Sequence, residues 1–219
     1  MGIIKELERL LFIRDDYCYF CKENKAKDYI CVYCNELIEY VHGNIKLDIS
    51  YMEGIYYSVL YNRFIREKLH SYKFEGKNYL YKPFGEMILT TIRLNGLDKK
   101  IDGIVYVPLH RKKEAIRGYN QSGLLAEYVA DMLNISLLKN NLMKIRWTKD
   151  QNKLDRLTRQ TNLKSAFKVK NIKDIKGKEI LLIDDIITTG ATLIECSKTL
   201  MEAGAKRIYG LVLTSSMKL

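Results

Sequence analysis

Four of the five cysteines are spaced as metal ligands near the start of the chain. Two residues separate Cys18 from Cys21, and two residues separate Cys31 from Cys34. This spacing lets both sulfurs of a pair reach one ion, and two such pairs complete a closed tetrahedral thiolate shell of the structural zinc type. A redox pair or a chance arrangement is the alternative. We predict a double-knuckle, four-cysteine zinc ribbon over residues 1–45.

The predicted zinc ribbon has a structural role, because a closed shell leaves no coordination position for a reacting water. Around 40 residues bury too little surface to fold alone, and metal binding supplies the missing free energy. Aromatic residues flank the cysteines and either stack on nucleic-acid bases or cover the metal site. We prefer the second interpretation for all of them: Tyr17, Tyr19, Phe20 and Tyr33.

A second group of residues has the chemistry of a sugar-phosphate site. Two carboxylates, Asp184 and Asp185, precede a threonine-rich loop that opens a predicted helix. Carboxylates accept hydrogen bonds from the vicinal hydroxyls of a ribose, and the loop's N–H groups and hydroxyls suit a phosphate at a helix N-terminus. Helix capping alone also selects threonine at such positions. The predicted phosphate-binding residues are Ile187, Thr188, Thr189, Gly190, Ala191 and Thr192.

The elements that must position this loop are the clearest in the sequence. The apolar run 179–183 predicts a buried strand, 191–203 a helix capped by Gly204, and 208–213 a second buried strand. A strand, a loop, a helix and a strand form a βαβ unit, and such units build a parallel sheet with helices on both faces. Ligands bind at the carboxyl ends of its strands, where the loop begins.

Upstream elements are predicted from hydrophobic spacing. Helices are expected over 57–72, 80–94 and 120–133, and a short buried strand over 103–107 that ends at Pro108. Short strands are also expected near Ile135 and Met143. The basic stretch after Pro108 is interpreted as a mobile loop.

Positive charge is concentrated in one part of the chain. Residues 111–178 carry 17 Lys and Arg against 6 Asp and Glu, an excess equal to the whole net charge of +11. Such a segment attracts phosphate-bearing partners, although a solvated lysine-rich face gives the same count. No apolar run is long enough to span a membrane, and the acidic first residues do not fit a signal peptide. We expect a cytoplasmic protein without membrane insertion.

The string Ile180 to Thr192 resembles the PRPP-binding signature of type I phosphoribosyltransferases, with four apolar residues, two acidic residues and a Thr-Thr-Gly-x-Thr loop. The resemblance implies an α/β domain of that fold over residues 46–219, with a parallel sheet flanked by helices. It also implies that the site binds PRPP or ribose 5-phosphate together with Mg²⁺. Asp184 and Asp185 would then be the catalytic carboxylates, holding the ribose diol and stabilising a cationic ring.

Further segments resemble the ComF family. They are the stretch 107–121 with its Arg-Gly-Tyr-Asn-Gln element, Leu124 to Ala126, Lys73 with Gly76, the N-terminal cysteines, and the spaced Gln151, Leu154, Arg159, Asn162 and Ala166-Phe167. Leu109-His110 departs from the family pattern, where many relatives carry a second proline or a small polar residue. The resemblance implies pyrophosphate or DNA contacts from His110, Arg111, Lys112, Arg117, Asn120, Gln121, Lys73 and Arg159. In a purely structural interpretation, Asn120 is a helix cap, Gln121 lies in the first turn of that helix and Arg117 is a solvated side chain.

The ComF resemblance implies a role in natural transformation and DNA uptake, with single-stranded DNA and a helicase-like competence protein as partners. Two other hypotheses stay open: a metabolic phosphoribosyltransferase that joins ribose 5-phosphate to a base or amine, and a PRPP sensor without catalysis. An amidophosphoribosyltransferase is disfavoured, because no N-terminal cysteine nucleophile is present. Whether the protein is an enzyme is left undecided by the sequence.

Overall fold

The structure is a computed structural model, and it describes residues 16–45, 50–147, 163 and 165–217. The helices are α1 (Val32–Glu36), α2 (Arg63–Phe74), α3 (Tyr81–Leu94), α4 (Arg111–Arg117), α5 (Gln121–Leu133) and α6 (Ala191–Glu202). The strands are β1 (Tyr40–Ile45), β2 (Gly54–Leu60), β3 (Gly103–Tyr106), β4 (Leu142–Lys144), β5 (Phe167–Val169), β6 (Glu179–Ile187) and β7 (Arg207–Ser215). None of the helices in these ranges is long and apolar enough to cross a membrane.

Five strands form the central sheet in the order β1-β2-β7-β6-β3. Strands β2, β7, β6 and β3 are parallel, and β1 is added antiparallel to β2 at one edge. Strands β4 and β5 form a separate antiparallel pair. The predicted α/β architecture with a parallel sheet is therefore confirmed.

The two faces of the sheet bury two separate hydrophobic clusters. On β6, Leu181 and Ile183 belong to the cluster under α2, α3 and α5, whereas Ile180 and Leu182 belong to the cluster under α6. This alternation is the period of two that a strand imposes on its side chains. Because both faces are covered by apolar residues, β6 is continuously hydrophobic from Ile180 to Ile183.

Most predicted helices are confirmed, and their ends follow local capping chemistry. The Asn120 side chain accepts a hydrogen bond from the Gly123 N–H (3.0 Å) and begins α5. Gly204, just beyond α6, has a φ of +88°, a left-handed conformation that glycine adopts at little cost. The predicted strand around Met143 is β4, whereas Ile135 lies in no strand.

Two predictions of local structure are wrong. Residues 57–60 belong to strand β2, because aromatic and β-branched side chains there are paired with β1 and β7; the helix begins only after Asn62, whose side chain accepts from the Ile65 N–H (2.9 Å). Residues 111–117 form helix α4 instead of a loop, begun by His110 and ended by Gly118 at a φ of +85°. None of the residues of α4 is buried, so its sequence has no apolar stripe with the helical period.

The cysteine-rich segment is packed into the main body of the protein. Cys18, Tyr19 and Phe20 are buried in the same cluster as α2 and α3. Strand β1, which the sequence-based division placed in the ribbon at residues 1–45, pairs with β2 in the central sheet. The ribbon and the α/β domain therefore share both a hydrophobic core and a sheet.

Candidate functional site

The four cysteines form a compact cluster with a geometry that fits one metal ion. Their sulfur atoms all lie within 4.8 Å of one another, and none of these thiols is in a disulfide. Cys21 Sγ and Cys31 Sγ are 3.8 Å apart, the edge of a tetrahedron whose metal–sulfur bonds are about 2.3 Å long. The cluster could therefore hold a metal such as zinc.

The aromatic residues near the cysteines divide into a buried and an exposed set. Phe20 lies against the rings of Phe64 and Phe84, with centroids 5.5 Å apart in each case. Lys68 of α2 donates to the Phe20 carbonyl at 3.0 Å. Tyr33 is instead 70% exposed on the outer side of the ribbon. Tyr19 and Phe20 are therefore buried, as a covering role requires, whereas Tyr17 is only partly buried and Tyr33 does not fit that role.

A cleft of about 480 Å³ opens at the carboxyl ends of β3 and β6, where open parallel sheets bind ligands. The structure places the following predicted residues in its wall: Lys73, His110, Arg117, Gln121, Asp184, Asp185, Ile187, Thr188, Thr189, Gly190, Ala191 and Thr192. Residues that are more than 100 positions apart in the sequence thus meet in one site.

The two carboxylates in the cleft each have a protein partner. Lys73 Nζ lies 2.8 Å from both carboxylate oxygens of Asp185 in a largely buried ion pair. Asp184 accepts from the Ser122 hydroxyl at 2.8 Å and from the Asp185 N–H at 2.9 Å. Burial, followed by the neighbouring charge of Asp185, raises the pKa of Asp184 to about 7. The acidic pair therefore carries little net negative charge once Lys73 is included.

The threonine loop lies between the end of β6 and the start of α6. Gly190 precedes the helix with a φ of +78°, which the absence of a Cβ makes inexpensive. The backbone N–H groups of the first turn of α6 point towards this end of the helix, where its dipole favours an anion. The Thr189 hydroxyl is 3.5 Å from the Ala191 N–H, so its contribution to capping is weak.

A corner between α4 and α5 forms the wall opposite the loop. The Arg117 guanidinium lies 4.9 Å from the centre of the Phe74 ring and donates to Gln121 Oε1. Gln121 is 1% exposed, and its Nε2 has no hydrogen-bond partner among the residues that the structure describes. Tyr72 donates to the Gln121 carbonyl at 2.9 Å and fixes the backbone at this point.

Several residues with a predicted site role lie elsewhere. Asn120 is buried and caps α5, and its amide also donates to the Val107 carbonyl at 3.2 Å. Asn120 is therefore the helix cap that the sequence offered as the alternative to a ligand contact. Arg111 and Lys112 are exposed on α4 and do not line the cleft. Arg159, like Gln151, Leu154 and Asn162, lies outside the described residues.

Sequence reasoning missed other residues of the cleft wall, including Phe74, Lys113, Ser122, Lys144 and Trp147. Phe74 directly follows Lys73, and Ser122 directly follows Gln121, so proximity to a predicted residue was an available signal. Trp147 is the only tryptophan in the chain and lies in the basic segment. Nucleic-acid bases stack on aromatic side chains in positively charged grooves, so a tryptophan in this segment was an available signal.

A model of the family described as phosphoribosyl transferase domain matches residues 124–217, which include β6, the threonine loop and α6. With the strand order and the position of the cleft, this match defines a protein of the type I phosphoribosyltransferase fold.

Three similar proteins narrow this class. Competence protein ComFC of Bacillus subtilis is 30% identical over 198 residues, which are 85% of this chain and 78% of that protein. Competence protein F of Haemophilus influenzae is 28% identical over 198 residues, 88% of this chain and 81% of that protein. DNA utilization protein YhgH of Salmonella typhimurium is 30% identical over 144 residues, 64% of this chain and 62% of that protein. The chain belongs to the ComF family.

Proposed function

We propose that the cleft binds the ribose 5-phosphate part of PRPP and that the protein acts in natural transformation, handling single-stranded DNA. The observation that carries the first half is the convergence of an acidic pair and a threonine loop on one cleft of about 480 Å³. The family membership supports the second half, because two relatives are named competence proteins and one a DNA utilization protein.

The threonine loop is the proposed holder of the 5-phosphate. Residues 188–192 provide hydroxyls and backbone N–H groups at the start of α6, and Gly190 allows the phosphate to approach the backbone. Ile187 is buried behind the loop and fixes its starting point.

The acidic pair is the proposed holder of the ribose hydroxyls. In this proposal Asp185 exchanges its bonds to Lys73 for bonds to the sugar, and the released ammonium group becomes available to pair with a phosphate. Mg²⁺ would supply charge neutralisation for the pyrophosphate, and the oxygen atoms of Asp184 and Asp185 are the ligand type that it prefers. If transfer occurs, the bond between C1 and the pyrophosphate oxygen breaks as an acceptor donates an electron pair to C1.

The basic surface and the cysteine cluster complete the proposal. The excess of basic residues in 111–178 suits a DNA backbone, and the family resemblance suggests a helicase-like competence protein as a further partner. We assign zinc to Cys18, Cys21, Cys31 and Cys34, and keep residues 1–45 and 46–219 as the proposed ribbon and phosphoribosyltransferase-like domain. Arg159 is kept as a proposed anion contact.

Calorimetric titration with PRPP and Mg²⁺ tests the cleft. Asp185→Asn should weaken binding by about 100-fold, since it removes a charged acceptor of two hydrogen bonds. Glu202→Gln, the same acid-to-amide change on the exposed end of α6, should bind normally. Unchanged binding by Asp185→Asn would place the ligand elsewhere.

Measurement of pyrophosphate release separates the competing functions. The protein is incubated with PRPP, Mg²⁺ and a panel of bases, amines and single-stranded DNA. Release with DNA supports an enzyme of DNA uptake, release with a base or amine supports a metabolic transferase, and binding without release supports a PRPP sensor.

A further inference from the structure

Two of the large aromatic side chains that line the cleft with the threonine loop are more than half exposed. Phe74, the last residue of α2, is 59% exposed, and Trp147 is 51% exposed. Both line the cleft. Exposed aromatic rings beside a phosphate-binding loop are suited to a ligand that carries a nucleobase as well as a phosphate, because every base can stack on such a ring.

Each ring is held in position by a neighbouring side chain. The Arg117 guanidinium lies 4.9 Å from the centre of the Phe74 ring. The His110 ring meets Trp147 edge to face, with centroids 5.1 Å apart. A ring that is held before binding loses less conformational entropy when a ligand stacks on it. Besides the pyrophosphate or DNA contact predicted for them, His110 and Arg117 therefore hold the Trp147 and Phe74 rings in position.

The charges around the cleft favour a polyanion. Lys113, Lys144 and Arg117 line the same cleft as the rings, together with Arg66 of α2. Lys73 balances Asp185 through two contacts of 2.8 Å, so the acidic pair does not repel an incoming phosphate chain strongly. The loop and the acidic pair suffice to hold a single sugar phosphate, whereas a longer strand would also use the basic rim.

We propose that the cleft binds the 5′-phosphorylated end of single-stranded DNA, with the terminal phosphate on loop 188–192 and terminal bases stacked on Trp147 and Phe74. This inference rests on the proposed function for the role of the loop as a phosphate site. Deoxyribose lacks the 2′-hydroxyl that completes a ribose diol. DNA therefore leaves the Lys73–Asp185 ion pair intact, whereas PRPP opens it.

Trp147 reports this contact directly, because it is the only tryptophan in the chain. Oligonucleotides with a 5′-phosphate should quench its emission, and PRPP, which has no base, should not. The 5′-phosphorylated oligonucleotide should bind about tenfold or more tightly than the same oligonucleotide with a 5′-hydroxyl, the range expected for charge-assisted hydrogen bonds. Excess PRPP should reverse the quenching by competing for the loop.

Variants separate stacking from phosphate binding, with affinity measured by fluorescence anisotropy of a labelled oligonucleotide. Trp147→Ala should weaken binding of the phosphorylated oligonucleotide by about fivefold or more, the size of one base stack. Trp147→Phe should restore most of that loss. Tyr51→Ala, which removes an exposed aromatic ring that does not line the cleft, is the matched control and should bind normally. Trp147 is half exposed, so these changes leave the fold intact, which thermal unfolding checks.

The outcome for Asp185→Asn distinguishes the two proposals. It should lose PRPP and keep the phosphorylated oligonucleotide, whereas Trp147→Ala should keep PRPP and lose affinity for the oligonucleotide. Equal affinity for 5′-phosphate and 5′-hydroxyl ends, or DNA binding without a change in Trp147 emission, would overturn the end-binding proposal alone. Tight binding of the phosphorylated end without any PRPP binding would overturn the proposed function alone.

Discussion

The cysteine cluster and the cleft are assembled in opposite ways. The four thiols lie within 17 consecutive residues, and one ion would suffice to bring them together. The cleft collects Lys73, Ser122 and residues 184–192 from distant parts of the chain, and only the completed sheet brings them together. A local site can be recognised from spacing, whereas a distributed site needs the fold.

Helix α2 makes the two regions dependent on each other. Near its middle, Lys68 donates to the Phe20 carbonyl of the ribbon, and one residue before its end Lys73 pairs with Asp185. The rings of Phe20, Phe84 and Tyr72 continue this contact through the core, each 5.5 Å from the next. The cysteine cluster is therefore not a separate module, although it is assembled differently from the cleft. Variants of the cluster and of the cleft test how strongly the stability of one region depends on the other.

Removal of the zinc proposed at the cysteine cluster should have the largest effect. Structural zinc contributes roughly 10 kcal/mol or more to small sites, comparable with the whole stability of a domain. Because the ribbon shares its core with α2 and α3, a chelator should lower the melting temperature of the whole chain, measured by circular dichroism. A ribbon that unfolds while the remaining helical signal melts unchanged would show that the two regions are independent. Zinc addition should restore the original melting curve.

Phe20→Ala should have the next largest effect, since it leaves a cavity between the ribbon and helices α2 and α3. We expect the free energy of unfolding to fall by about 3–5 kcal/mol in urea denaturation. Tyr33→Ala, an exposed aromatic change in the same ribbon, should stay within about 0.5 kcal/mol of the original protein. Equal effects for both variants would contradict the buried contact of Phe20.

Asp184→Asn should stabilise the protein and weaken the proposed binding of PRPP in the cleft. The raised pKa, about 7, means that the folded state holds this proton more tightly than the unfolded state does. Stability is therefore lost as the pH rises from about 4, the unfolded pKa, to 7, and is fully lost above that. The variant removes this penalty, so its free energy of unfolding at pH 8 should exceed that of the original protein by up to about 4 kcal/mol, since one pKa unit corresponds to about 1.4 kcal/mol.

The same comparison at pH 4 supplies the control for Asp184→Asn. There the carboxyl is protonated in the folded state and about half protonated in the unfolded state, so the difference should largely disappear. Asp131→Asn, on the exposed side of α5, shows the effect of an acid-to-amide change outside the cleft. A stability gain that does not depend on pH would contradict the burial of the Asp184 charge.

Ser122→Ala should have the smallest effect. The Ser122 hydroxyl donates to Asp184 at 2.8 Å and favours the charged carboxylate, so it lowers the pKa of Asp184. Its loss should cost about 1 kcal/mol at pH 8 and move the titration of Asp184, followed by carbon NMR, to higher pH. Ser122→Thr keeps the hydroxyl and should restore the titration. A titration that moves to lower pH would contradict this hydrogen bond.

The sequence predicted the local features well, for physical reasons. The order of β6, the threonine loop, α6 and β7 follows from continuous apolar runs and a glycine cap, which are encoded within a few residues. Helix α4 was missed because none of its residues is buried, so no apolar stripe marked it. Strand β2 was assigned to a helix because short apolar runs fit both periods, and only pairing with β1 and β7 decides between them.

The cleft was predictable only in part. Asp184, Asp185 and the loop were identified from their own segment, but the bond between Lys73 and Asp185 spans 112 positions and left no spacing to recognise. Phe74 and Ser122 adjoin predicted residues and Trp147 lies in the basic segment, but adjacency along the chain does not show which side chains face the cleft. Their place depends on which strands are neighbours, which is a property of the whole sheet.

Strand β7 comes last along the described chain, yet it lies in the middle of the sheet between β2 and β6. Until the ribosome has released it, β2 and β6 cannot be bridged, and each presents an unpaired hydrophobic edge. The cleft therefore cannot form progressively during synthesis. The chain before β7 depends on its ribbon and helices to stay compact until β7 inserts, which makes slow translation or truncation before β7 a route to aggregation.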